Sequence, residues 1–295
     1  MRRAGGKKSG GFEPADIPSP RTMWSVYNKK EMATFERCHE KLKSDADAFS
    51  AFSAGRSSRL VLLGDSITES WRGTSYGRHV PRTAGVPAVL GETLARRWPA
   101  PLPLGIAADC TQHLLWRMQQ GEFTAAMKAE PRLLVVLLIG TNNLGRGHSA
   151  DETIRGVLAC ARHILNGTKA KLLVNALLPR GDKRKKGPLR GQGFMADLKL
   201  VNKGVNASIE RSGGGGPSLA REFPGRVIRY VDCGGPFLNA EYRSKVTDES
   251  AAAPEIVDRA LMPDRLHPNA AGHRLWASCL EAALCKMDPQ ACARL

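Results

Sequence analysis

The residues of this 295-residue chain that could do chemistry fall in two places far apart in sequence. Near the start, the apolar run Val61-Leu62-Leu63 leads into Gly64-Asp65-Ser66, so a serine hydroxyl stands where a strand would end. A strand end holds such a hydroxyl rigidly and leaves one face open, which suits a nucleophile. Gly, Asp and Ser are also ordinary turn formers, so the tripeptide alone does not decide. Near the other end, Asp264-Arg265-Leu266-His267-Pro268 sets a carboxylate and an imidazole three residues apart, just before a proline. A serine hydroxyl is a poor nucleophile until a neutral imidazole takes its proton, and a carboxylate must hold that imidazole in the right tautomer. Ser66, His267 and Asp264 would supply the three parts. The competing readings of the last two are a surface turn or half of a metal site, and His148, His163 and His273 stand in no matching ligand pattern.

The elements needed to bring these residues together can be read from the hydrophobic pattern. Arg59 to Leu63, Leu102 to Ile106, Leu133 to Ile139, Leu172 to Leu178 and Arg226 to Asp232 are apolar runs of strand length. Leu133 to Ile139 is unbroken, the pattern of a strand buried on both faces of a parallel sheet. Helical spacing marks Glu31 to Phe52, Val89 to Trp98, a stretch through Leu114, Leu115, Met118 and Phe123 capped by Asp109 or Thr111, a stretch from Ile154 to Leu165, and Leu198 to Ile209. Ser149 to Glu152 has the form of a capping box, and Asn269 is placed to cap a last helix striped by Leu275, Trp276, Cys279, Leu280, Ala283 and Leu284. Alternation of strand and helix predicts an α/β protein, a three-layer α/β/α sandwich around a flavodoxin-like, five-stranded parallel sheet. In such folds the site lies beyond the carboxyl ends of the strands, where Gly64 to Ser66, Gly105 to Asp109 and Gly140 to Asn143 would gather.

Composition bounds the alternatives. Residues 1–30, rich in Gly, Pro, Ser, Lys and Arg, read as a flexible basic arm, and 31–295 as one domain with loop insertions near 180–197 and 239–258. The segment Arg180 to Arg190, with six basic residues against Asp182, reads as a solvated loop. The longest apolar runs are far short of the ~20 residues of a membrane helix, and the basic start lacks an apolar h-region, so no membrane span and no signal peptide are expected. Seven widely spaced cysteines without a Cys-x-x-Cys pair favour reduced thiols in a cytoplasmic setting and no structural zinc. Cys110 reads as a small buried hydrophobe, and Trp71 and Trp116 as core. A net charge of +16 raises acidic partners, yet neither basic cluster is interleaved with aromatic residues, which argues against nucleic acid.

Taken together, Gly64-Asp65-Ser66-Ile67, Gly105 to Asp109 with Leu115-Trp116-Arg117-Met118 and Gly121-Glu122, Gly140-Thr141-Asn142-Asn143, Leu177-Leu178-Pro179-Arg180-Gly181 and Asp264 to Pro268 resemble the SGNH, or GDSL, hydrolases. Within that superfamily they are most similar to the catalytic subunits of intracellular platelet-activating factor acetylhydrolase. The resemblance implies Ser66 as nucleophile and Asp264 and His267 as its partners. It also implies an oxyanion hole made by the Ser66 backbone N–H, the Asn142 side-chain amide and the backbone N–H of Ala108, where the family has glycine. Asp65 and Asp109 are read as braces of the site loops.

These readings converge on a serine esterase that removes a short acyl group, most simply acetyl, through an acyl-enzyme on Ser66, with neither metal nor organic cofactor. The substrate is a small acyl ester, an acetylated sugar or a lipid, and the resemblance raises a homodimer. The competing expectation is a hydrolase-fold binding module of little or no activity. It would hold an acidic partner through Arg2, Arg3, Lys7 and Lys8 and the run Lys183-Arg184-Lys185-Lys186.

Overall fold

A computed structural model describes residues 13–22, 29–51, 58–184, 190–209, 218–244 and 255–293. Its centre is a parallel sheet of β1 (Arg59–Gly64), β2 (Leu102–Gly105), β3 (Leu133–Leu138), β4 (Lys171–Asn175) and β5 (Ile228–Val231), in the order β2-β1-β3-β4-β5. Every residue of β1, β2 and β3 is buried, as continuous apolar runs at the centre of a sheet covered on both faces require. The register pairs Gly64 with Gly105 and with Leu138, so three strands end level with one another. The loops after them therefore share one edge of the sheet, beside the point where the strand order reverses.

The helices that concern the site are α1 (Lys29–Ala51), α2 (Ser66–Glu69), α3 (Val86–Glu92), α4 (Thr111–Arg117), α5 (Thr141–Arg146), α6 (Ala150–Gly167), α7 (Met195–Ile209) and α8 (Ala270–Met287). Helices α4, α6 and α7 pack in sequence on one another, while α8 packs with α3, giving the three-layer α/β/α arrangement. The caps follow local chemistry. Ser149 Oγ accepts from Glu152 N (3.2 Å) while the Glu152 carboxylate accepts from Ser149 N (2.8 Å). Asn269 Oδ1 accepts from Gly272 N (3.0 Å) at the start of α8.

Several expectations need correction. Part of the expected basic arm is packed: Glu13, Ala15 and Arg21 are buried because their polar groups find partners in α4 and in the loop before it, as detailed below. Residues 14, 16–20 and 22 are exposed or half-buried, and residues 1–12 and 23–28 lie outside the described residues. The expected strand to Leu178 ends at Asn175, since the Asn202 side chain takes over the backbone of Leu177, accepting from its N–H (2.8 Å) and donating to its carbonyl (3.0 Å). The expected helix from Val89 to Trp98 starts earlier and breaks at Thr93, giving α3 and a short turn Leu94–Arg97. The cap of α4 is Cys110, whose N–H donates to His113 Nδ1 (3.0 Å), because the Asp109 carboxylate is taken by two arginines. Leu275 stands 41% exposed, outside the stripe that α8 buries.

The expectation of reduced thiols fails for four of the seven cysteines. Cys233 pairs with Cys279 and Cys285 with Cys292, while Cys38, Cys110 and Cys160 are buried free thiols. The first bridge joins the end of β5 to α8, a proximity that depends on the fold and not on sequence spacing. With it goes the argument from cysteines for a reducing compartment. Burial pushes the Cys110 thiol up, and that of Cys160 to about 12, which leaves both inert. Trp71 is core, stacked on Trp276 with 5.3 Å between centroids, and Trp116 packs against Phe35 and His39. Among the described residues no helix is long and apolar enough to cross a membrane.

Candidate active site

Two glycines make room for the serine. A Cβ on Gly64 would lie 2.3 Å from the Leu138 carbonyl oxygen, and one on Gly105 would lie 2.5 Å from both the Asp65 oxygen and the Glu69 nitrogen. Helix α2 can therefore sit directly against the strand ends only because both side chains are missing. Asp65 starts that helix, its Oδ1 accepting from Ile67 N (3.0 Å), and Ser70 Oγ donates to the Ser66 carbonyl (2.8 Å). Ser66 is thus held from both sides while its hydroxyl faces the His267 loop.

The structure brings Ser66 and His267 together across 201 residues of sequence, with Ser66 Oγ 2.8 Å from His267 Nε2. Asp264 Oδ2 lies 2.7 Å from His267 Nδ1, and its Oδ1 accepts from the backbone of Leu266 (3.0 Å) and His267 (2.7 Å). A carboxylate on Nδ1 fixes the proton there and leaves the Nε2 lone pair for the serine O–H. Partial burial would raise the Asp264 carboxyl, but the hydrogen bonds and charge of His267 hold it well below the usual range, so it stays ionised. The turn between them is strained: Arg265 adopts φ 67°, and it is held there by Gly181 N–H on its carbonyl (2.8 Å) and by Glu255 on its guanidinium (2.8 and 2.9 Å). Behind the serine, His273 of α8 is buried with Nε2 3.3 Å from the Ile67 carbonyl, and burial pushes its pKa down to about 4.

On the opposite side stand the other two expected groups. Ala108 has φ 65°, the left-handed region that disfavours a Cβ, so the position that is glycine in the resembling family carries strain here. The Asn142 amide nitrogen lies 2.9 Å from the Asp109 carbonyl and 3.3 Å from Asp65 Oδ2. Helix α5, which carries Asn142, is pinned by Arg180, whose Nη1 donates to the Thr141 carbonyl (2.8 Å) and hydroxyl (3.0 Å). This corrects the reading of Arg180 as part of a solvated loop. Its guanidinium is buried, lies 3.8 Å over the Phe194 ring and pairs with Asp182 (2.6 Å), so planar stacking and a carboxylate replace water. Lys183 and Arg190 are exposed, whereas Arg184 also lies over the Phe194 ring, and 185–189 fall outside the described residues.

Beneath this loop is a network of buried charges. Arg117, fully buried, donates to Asp109 (2.7 Å), to Glu122 and to the Gly64 carbonyl (3.2 Å), and Glu122 pairs with His39 (2.8 Å). Burial alone would lower the Arg117 guanidinium, but Glu122 and Asp109 push it up and keep it charged. Arg21 binds the other oxygen of Asp109 (2.7 Å) and the Ala107 carbonyl, while the Ala107 N–H is held by Glu69 (2.6 Å). Glu13 joins the network through His113 Nε2 (2.9 Å) and Gln112 (3.1 Å), and His148 Nε2 lies 2.8 Å from its carbonyl oxygen. Arg21, Glu13, His39 and Glu69 were missed in the sequence because each is an isolated polar residue in its own segment; Arg117 and Glu122 entered only through the resemblance. Among the described residues no three His, Cys, Asp or Glu side chains cluster to hold a metal ion.

Residues 62–275 match the GDSL-like Lipase/Acylhydrolase family, nearly three quarters of the chain. The chain belongs to that family. Curated relatives include the platelet-activating factor acetylhydrolase IB subunit alpha2 of Homo sapiens, 39% identical over 141 residues, 48% of this chain and 50% of the relative. The alpha1 subunit of Bos taurus is 35% identical over 109 residues, 37% of this chain and 41% of the relative. The chain thus spans half or less of the length of these relatives in the matched region. Among solved structures, a GDSL-like lipase from Bacteroides thetaiotaomicron superposes with a TM-score of 0.54 at 17% identity, covering 84% of this chain and 99% of that one. At this identity the GDSL acylhydrolase shares its fold with the chain.

Proposed function

We propose that this GDSL acylhydrolase is a serine esterase that hydrolyses a short-chain, most simply acetyl, carboxylic ester through an acyl-enzyme on Ser66. The observation that carries the reading is the line Ser66 Oγ, His267 Nε2, His267 Nδ1, Asp264 Oδ2, with contacts of 2.8 and 2.7 Å. His267 takes the serine proton as Oγ adds to the ester carbonyl, then gives it to the departing alcohol; in the second half it takes a proton from water, and the carboxylic acid leaves as Ser66 is restored. The Ser66 and Ala108 N–H groups and the Asn142 amide would face the oxyanion of each tetrahedral intermediate. The likeness to acetylhydrolase subunits over part of the chain supports the short acyl group, and an acetylated sugar or a small lipid ester fits it equally.

The test is a p-nitrophenyl ester series from acetyl to octanoyl, read for a pre-steady-state burst beside Ser66→Ala. A burst of about one equivalent on the short esters, absent from the variant, is the expected result. Equal rates for both proteins on every ester would sink the reading and favour a binding module.

A further inference from the structure

Asp65 sits one residue before Ser66, is 1% exposed, and has two different jobs for its two oxygens. Oδ1 caps α2 through Ile67 N–H, whereas Oδ2 faces the Asn142 amide nitrogen at 3.3 Å. A primary amide has two N–H protons. Here the Asp109 carbonyl (2.9 Å) and Asp65 Oδ2 claim both, and two acceptors around one atom also settle that it is the nitrogen that points inward. An arriving oxyanion needs one of those protons. The shorter contact keeps its own, so the proton shared with Asp65 is the one that can be given up.

We propose that Asp65 is a positioning residue for the oxyanion hole, acting through the Asn142 amide it holds, and that its ionisation withdraws that amide from the oxyanion. The inference rests on the esterase reading above. An ionised carboxylate grips the amide proton more tightly than a neutral carboxyl. A neutral carboxyl still accepts a weak hydrogen bond, which keeps the amide in place without withholding its proton. The groups facing Asp65 decide which form prevails. Burial raises its pKa to about 7 and Asp109 adds to that, against the Ile67 N–H, Arg180 and Arg82. The change of form therefore falls in the neutral range, where the enzyme would work.

The experiment compares kcat and KM from pH 5.5 to 9.5 for the wild type, Asp65→Ser, Asn142→Ala and the double variant. The serine variant keeps an oxygen for the Ile67 cap, and denaturation midpoints verify that each protein folds. The wild-type kcat should fall at least ten-fold on the alkaline side, with KM little moved, and Asp65→Ser should lack that fall. In the Asn142→Ala background, Asp65→Ser should change kcat less than two-fold. An alkaline fall that survives in Asp65→Ser, or fully additive effects of the two substitutions, would overturn the proposal. A second readout needs no turnover: the Asn142 side-chain amide resonances should titrate once near neutral pH in Ser66→Ala, and not in the Ser66→Ala, Asp65→Ser double variant. If the wild type forms no acyl-enzyme, the esterase reading fails, while the amide titration still decides whether Asp65 grips Asn142. A flat titration sinks the inference.

Discussion

The two sides of the candidate site are built by opposite means. On the side proposed to transfer protons, the Asp264 side chain is 46% exposed and His267 16%, on a single turn whose parts lie within three residues. On the side proposed to hold the oxyanion, Asp109, Arg117 and Glu122 are wholly buried, and the loop they hold is fastened by Arg21 and Glu69 from other segments. The open side needs few residues, because a short turn already aims a carboxylate at an imidazole. The closed side needs many, because backbone N–H groups can be aimed only by fixing the whole loop, and fixed dipoles stabilise charge without reorganising. Chemistry should therefore be lost cheaply on the first side, and structure on the second.

Substitutions can break that contrast. His267→Ala should lower kcat by about 10⁴-fold or more while urea denaturation changes by less than about 1 kcal/mol. Arg117→Met should do the reverse in its primary effect, costing about 3 to 5 kcal/mol of stability in the same denaturation, because it leaves two buried carboxylates short of a partner. If the two variants lost stability equally, the contrast would be wrong.

His273 sharpens the picture at the boundary between the sides. Its pKa is near 4 when folded against 6.5 when unfolded. The unfolded chain thus binds the proton first as pH drops, so stability present above pH 6.5 is lost between 6.5 and 4, by up to about 3 kcal/mol. Denaturation at pH 7.5 and 5 should show most of that loss, and His273→Leu should flatten it. The smallest effect is at the strained turn. Ala108→Gly should raise stability by about 1 kcal/mol by relieving φ 65°, with the Ala108 N–H kept in place. A variant of lower stability would show that the loop tolerates the Cβ without strain.

The same contrast governs what could be read in advance. Continuous apolar runs located the strands of β1 and β3, and capping chemistry located the starts of α6 and α8, because these signals are local. Ser66, Asp264 and His267 were legible as residue types whose chemistry needs one another. Neither the bond from Arg21 to Asp109 nor that from Glu122 to His39 was legible, since nothing in an isolated polar residue says that it will be buried or with whom. Arg180 is the clearest case: charge counting assigns it to water, and the Phe194 ring and the Thr141 carbonyl, outside its local segment, join Asp182 in overruling that. The Cys233–Cys279 bridge was hidden for the same reason.

That bridge encloses the segment in which Asp264 and His267 lie. A protease that cut the chain once between residues 234 and 263 would sever Asp264 and His267 from Ser66 in sequence, yet the two pieces would remain one covalent molecule. Nicked protein should therefore run as a single band without reductant and as two with it, and it should keep Ser66, His267 and Asp264 in one molecule until the thiols are freed.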